Sequence, residues 1–321
     1  MISLTAGSAN ELYVAACQAV RRAGTMVSPR GMATNEVLGA YLCLTDPRRR
    51  LVDLSPVRVI NPAFAVAETV WILSGSDDPW IFQYNRALTR YTDGGRLQGA
   101  YGPRMRCWRG RVDQLDQVRR ILTRDPDSRR AVIQLFDPER DTCGHRDVPC
   151  TLSYRFFLRG GRLQMHTTMR SQDLWLGFPY DLFAATTLQE LLAGWLGAEL
   201  GEYHHFVDSL HLYDQHTDAA ASLPTDPRPS PQLPPIGVAW EGLSELLAEV
   251  LAGRVPSHAG PVWATFTAVL ASYRVWTRGE CEQARASATA VPGELGRAMD
   301  RWYDRLAVPA PAVIPRPGIA R

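Results

Sequence analysis

The chain has 321 residues, 45% of them hydrophobic and 21% charged, which is ordinary for a soluble globular enzyme and allows one large domain or two modest ones. A net charge of +2 speaks against general nucleic-acid binding, and no apolar leader or run of membrane-spanning length is legible. The six cysteines are scattered with no CxxC pair, so free thiols in a reducing cytoplasm are expected.

The basic residues are all arginine. Residues 10–22 read as an amphipathic helix, and Ser28-Pro29-Arg30-Gly31 as an exposed turn. Residues 36–45 and Arg58-Val59-Ile60 read as strands. Pro62 suits the first turn of a helix that runs to Leu73 and stops at Ser74-Gly75. Glu68 lies mid-helix among apolar residues, and from pattern alone it falls on the solvent stripe rather than being buried for a purpose. Leu97 to Gly102 is a glycine-rich loop, 112–124 a helix, and Ala131–Phe136 a strand entered from Asp125-Pro-Asp-Ser-Arg129-Arg130. Adjacent arginines on a strand point to opposite faces, so Arg129 and Arg130 reach one anion only if the backbone bends.

Residues 150–170 alternate around Gly160-Gly161, the signature of a hairpin, and Asp181 opens an apolar helix. Leu210–Tyr213 reads as a strand, Leu223–Pro235 as a proline-rich connector, and 241–252, 261–277 and 292–306 as helices. The composition shift near residue 235 predicts a catalytic unit over 1–235 and a helical extension over 236–321 packed on it.

A thiol attacks as thiolate and needs cationic neighbours. The hairpin returns Arg170, at the end of its second strand, to Cys150 at the start of the first. Taken alone, a Pro-Cys at a strand start is more often a buried structural thiol. Arginines, Ser171 and glycine turns suit a phosphate. His211-x-Tyr213 sets two polar side chains on one strand face, which suits either a sugar hydroxyl or interior hydrogen bonding. Cys143, His145 and Cys150, or His204, His205, His211 and His216, match no standard metal spacing, so no metal is expected.

These residues fall in one order. Asp125-Pro-Asp-Ser-Arg-Arg130, Pro149-Cys150, Arg170-Ser171-x-Asp173-x-x-Leu176-Gly177-x-Pro179 and His211-x-Tyr213-x-x-His216 resemble the thymidylate synthases and their pyrimidine hydroxymethylase relatives over about residues 10–235. Glu68 with Trp71 and Gly75, and Tyr101-Gly102, add to the match. The resemblance implies an α/β homodimer built around a mostly β core, using 5,10-methylenetetrahydrofolate. It makes Cys150 the nucleophile at C6 of a pyrimidine nucleotide, and Glu68 and Tyr101 the organisers of water and proton transfer. It assigns the 5′-phosphate to Arg30, Arg170 and Ser171, with Arg129 and Arg130 donated by the partner subunit. It gives the ribose to His211 and Tyr213, and the pterin to Asp173.

The departures bear on the substrate. Asp181 stands where the synthases have asparagine. Cytosine offers an N4 donor and an N3 acceptor, the reverse of uracil, and a carboxyl group can accept from the one and, when protonated, donate to the other. Helix capping suits asparagine and aspartate alike and does not explain the change. This predicts a cytidylate 5-hydroxymethyltransferase acting on CMP or dCMP. The alternatives are a thymidylate synthase or uridylate hydroxymethylase, or a non-catalytic nucleotide- or RNA-binding relative. The synthases' tryptophan pair falls at Ala87 and Arg90, their histidine after the nucleophile is Thr151, and their aspartate two before His211 is Ser209. Their glycine/threonine-rich loop is poorly kept at Arg30–Thr34, and their C-terminal closing tail is absent.

Overall fold

The computed structural model describes residues 1–255 and 260–307. A seven-stranded mixed sheet runs β1 (Ile2–Ala6), β3 (Thr34–Leu44), β7 (Glu199–Tyr213), β6 (Arg162–Asp173), β5 (Thr151–Arg159) and β4 (Val132–Gln134), with β2 (Thr25–Val27) also paired to β3. β5 and β6 form the expected hairpin, closed by Gly160 and Gly161 at φ 55° and 73°, the left-handed pair a two-residue turn needs. β6 then pairs parallel with β7, and β7 antiparallel with β3.

The helices are α1 (Ala9–Ala23), α2 (Pro62–Leu73), α3 (Tyr101–Arg106), α4 (Gln114–Arg124), α5 (Pro138–Asp141), α6 (Phe178–Trp195), α7 (Thr217–Ala221), α8 (Leu243–Leu251), α9 (Pro261–Thr277), α10 (Cys281–Thr289) and α11 (Gly293–Ala307). Caps follow the sequence: Ser8 accepts from Glu11 N, Asn61 from Phe64 N and Asp113 from Asp116 N. α6 lies on β6 and β7, α2 lies on α6, and α9 and α11 pack against α2. One apolar core therefore runs from the sheet into the C-terminal helices, through residues such as Phe183, Phe266 and Met299.

Inward-facing residues alternate as Leu163, Met165, Thr167 and Met169 along β6 and as Tyr203, His205 and Val207 along β7. The alternation then slips by one, and Gln172 and Leu210 become buried. The slips adjoin, since Ser171 pairs with Ser209. This is how Gln172 comes to lie under the first turn of α6.

Several expectations need correction. Arg58–Ile60 is no strand. It makes only an isolated bridge, Leu54 to Arg58, because the buried Arg58 guanidinium donates to the carbonyls of Val59 and Trp175. Tyr101 and Gly102 open a helix rather than ending a loop, and Gly102 has no room for a Cβ, which would lie 2.7 Å from Ser76 O. Asp181 does not begin its helix. α6 starts at Phe178 behind Gly177, and the Asp181 amide already donates to Gly177 O. Glu68 is on no solvent stripe, because every other residue of α2 is buried.

Candidate active site

Cys150 sits half-buried where β5 begins, and the backbone of Arg170 donates to its carbonyl at 2.9 Å. The Arg170 guanidinium is fixed by the carbonyls of Pro149 and Val148, both at 2.9 Å, and reaches Cys150 Sγ at 3.8 Å. Burial nevertheless pushes the thiol up to about 11. Arg170 pulls it down, Asp181 and Asp147 push it up, and Arg30 pulls it down. Arg170 is therefore the principal stabiliser of the thiolate, and the free site holds Cys150 as a thiol.

Tyr101, at the start of α3, accepts from Thr151 N at 3.2 Å and Thr151 Oγ1 at 3.1 Å. Thr151 thus orients the tyrosine beside Cys150. α3 is anchored by the buried Arg104, which pairs twice with Asp141 at 2.6 Å and donates to Gln98 O. Burial, then Asp181, then Cys150 raise Tyr101 well above the usual phenol range. Glu68 faces Asp181 across the cleft, and burial and that neighbour hold its carboxyl well above the usual range. No described residue hydrogen-bonds to it, so it is free to hold water or substrate. Asp181 itself is pushed up to about 6, mainly by burial, although Gln172 donates to its Oδ2 at 2.8 Å and pulls the other way.

The sugar and pterin candidates lie at the ends of β6 and β7. His211 meets Tyr213 edge-on with ring centroids 5.3 Å apart. Asp173 Oδ1 accepts from Trp175 N and Leu176 N at 2.8 and 3.0 Å, and burial raises its carboxyl, with His211 and His216 opposing. Arg30 is exposed in a left-handed turn at φ 54°, and its charge lowers the pKa values of Tyr213 and Cys150. Ser171 is half-buried beside Arg170.

Cys150, Arg170, Arg30, Glu68, Tyr101, Asp181, Asp173, His211 and Tyr213 are therefore clustered by a single chain. Arg129 and Arg130 are not. Both are exposed before β4, and neither side chain has a hydrogen-bond or ion-pair partner among the described residues. Ala87 and Arg90 lie exposed on one helical turn, Arg86–Tyr91, and Ser209 donates to Glu36.

Sequence reasoning passed over Asp147, whose Oδ2 accepts from Gly99 N at 2.8 Å, and the buried Gln172 and His205 behind Asp181. Only Gln172 carried a signal, its place inside the Arg-Ser-x-Asp run. Neither histidine-rich set converges as a metal group. Among the described residues, the ligand atoms of Cys43, Glu202 and His204 lie within 4.8 Å of one another. No described helix is long and apolar enough to cross a membrane.

Residues 11–237 match the family model described as thymidylate synthase. Over 227 residues the chain is 35% identical to a deoxyuridylate hydroxymethyltransferase of Bacillus phage SP01. The matched part covers 66% of this chain and 59% of the phage protein's length.

Proposed function

The chain belongs to the thymidylate synthase family, and on that premise we propose that it is a cytidylate 5-hydroxymethyltransferase acting on CMP or dCMP. The observation that carries the choice of base is Asp181. It stands in the cleft beside Glu68, Tyr101 and Cys150, and its side chain caps no helix end. A carboxyl held near neutrality by burial exists in both forms at working pH, so it can donate to cytosine N3 while accepting from N4.

Asp173 fits the pterin of 5,10-methylenetetrahydrofolate. Its Oδ1 is occupied by backbone amides, while its Oδ2 has no hydrogen-bond partner among the described residues. When bound, that group supplies the one-carbon unit that C5 of the base attacks. Cys150 prepares C5 by adding to C6 once its thiol proton has passed to solvent, with Arg170 holding the thiolate. Asp181 gives its proton to N3 as ring charge gathers there, which keeps the adduct neutral. Tyr101, oriented through Thr151, orders the water through which the C5 proton leaves to solvent. Glu68 holds the water whose addition leaves a hydroxymethyl group. Arg30, Arg170 and Ser171 bind the 5′-phosphate, His211 and Tyr213 the sugar, and Arg129 and Arg130 complete the phosphate site from a partner subunit.

The phage relative's name favours a second reading, uridylate hydroxymethylation. Purified protein incubated with methylenetetrahydrofolate and CMP, dCMP, UMP or dUMP, with products identified by mass, separates the two. A product on cytidylate that is heavier by one hydroxymethyl group is expected. Turnover confined to uridylates, or a methylated product, overturns the reading.

A further inference from the structure

Behind Asp181 runs a continuous line of hydrogen-bonding groups that the chemistry above does not use. Gln172 Nε2 donates to Asp181 Oδ2 at 2.8 Å, and Gln172 Oε1 lies 3.0 Å from His205 Nε2. His205 Nδ1 lies 2.8 Å from Tyr203 Oη, which is 2.9 Å from Thr167 Oγ1. All four residues behind Asp181 are at most 2% exposed, so water cannot repair a mismatched donor. Gly177 is shaped around the first link. Its backbone is not left-handed, yet a Cβ there would lie 2.9 Å from Gln172 Nε2 and 3.3 Å from Asp181 Oδ2.

A neutral imidazole has one donor and one acceptor nitrogen, and burial keeps His205 neutral, pushed down to about 3. Two arrangements then satisfy the whole line. In the first, Tyr203 points at a bare His205 Nδ1, His205 Nε2–H donates to Gln172 Oε1, and the Gln172 amide donates to an acceptor oxygen of Asp181. In the second, Tyr203 donates to Thr167, His205 carries its proton on Nδ1, and Gln172 is turned over with its oxygen toward Asp181. Two oxygens 2.8 Å apart need a proton between them, so Asp181 must then be protonated. The second arrangement requires its proton on Asp181 Oδ2, whereas the first leaves Oδ1 able to carry the proton that faces the base and to lose it. Gln172 cannot turn alone, because at His205 donor would meet donor on leaving the first arrangement, and acceptor would meet acceptor on leaving the second.

We propose that Gln172, held by His205, Tyr203 and Thr167, is a positioning residue that ties the proton of Asp181 to the base. The inference rests on the reading that Asp181 contacts the base. When cytosine N3 takes the proton, Asp181 becomes a carboxylate, and the first arrangement supplies it with a donor at that moment. Uracil needs this less, since its ring charge collects on O4 and N3 keeps its own hydrogen. Loss of the chain therefore damages cytidylate chemistry more than uridylate chemistry.

The other groups facing Asp181 are Glu68 on α2, Tyr101 on α3, Cys150 and Tyr154 on β5 and at its start, Asp173 on β6 and Tyr203 on β7. None of them is a cation.

The test uses full-length protein with Gln172→Met and, as a milder change that keeps the ring, Tyr203→Phe, each checked for an unchanged circular dichroism spectrum. Exchange of the C5 proton is measured for CMP and UMP. Gln172→Met is expected to lower the CMP rate about 30-fold and the UMP rate less than about fivefold, and Tyr203→Phe to act in the same direction more weakly. Affinity for CMP is also followed from pH 5 to 8 by calorimetry in Cys150→Ala protein, to which Gln172→Met is added. Removing a donor from the carboxylate raises its pKa, so the decline in affinity should move up by about one unit. Phosphate titration is common to both proteins and cancels. Equal losses on both bases, or an unmoved decline, overturn the inference. A wild-type preference for UMP would instead overturn the proposed function, because the chain is judged by the change in ratio and not by its starting value.

Discussion

The proposed base end and the proposed phosphate end of the site are built in opposite ways. Around the base, Asp181, Gln172, His205 and Tyr203 are interlocked and supplied by one chain. At the proposed phosphate end, Arg30 stands exposed and only Arg170 is held in place, while Arg129 and Arg130 stand exposed before β4, away from this chain's own cluster. Recognition of a base needs donors and acceptors fixed in register, which only a buried frame provides. Recognition of a dianion needs charge, which arginines on separate segments, or separate subunits, deliver without a rigid frame.

The contrast can be broken at several points. Removing the nucleophile with Cys150→Ala should lower C5 exchange by about 10⁴-fold or more on every pyrimidine nucleotide while binding persists. Exchange at the wild-type rate would remove Cys150 from the chemistry. Asp181→Asn should lower kcat/KM for cytidylate by about 100-fold and shift preference toward uridylate, read in parallel steady-state assays. At the phosphate end, Arg129→Ala with Arg130→Ala should raise KM about tenfold. Mixed one to one with Cys150→Ala and assayed well below KM, that protein should rise from about one tenth to about one quarter of wild-type activity, because half of the dimers are mixed and each of those has one complete site. No recovery on mixing means that the arginines do not cross between subunits.

The smallest effect expected is on stability. Burial raises the Asp181 carboxyl from 3.8 to about 6, so the folded state binds more protons than the unfolded state between those values. Stability therefore falls as pH rises through that window. Urea midpoints measured between pH 4 and pH 7 should fall less steeply in Asp181→Asn.

Motifs on strand ends were legible because their residue types are unusual and their order is shared. Cys150, Arg170, Asp173 and His211 needed no coordinates. The hairpin was equally plain, since Gly160-Gly161 interrupts two runs of period two. Burial was not legible where polarity misled. Glu68 looked solvated because a carboxylate ordinarily is, yet its helix is enclosed on every other side. His204-His205-Phe206 gave no sign of the middle of a 15-residue strand, and with that strand shortened the partner of Gln172 was lost. Arg58 resembled part of a strand until its side chain was seen bonding to main-chain carbonyls.

The high pKa of Cys150 has a consequence between turnovers. Oxidants and alkylating agents select thiolates, and at neutral pH almost none of this thiol is in that form. The exposed Cys107, Cys143 and Cys281 meet such reagents first. The resting protein thus keeps the sulfur proposed as its nucleophile in its less reactive form, with three exposed thiols standing outside.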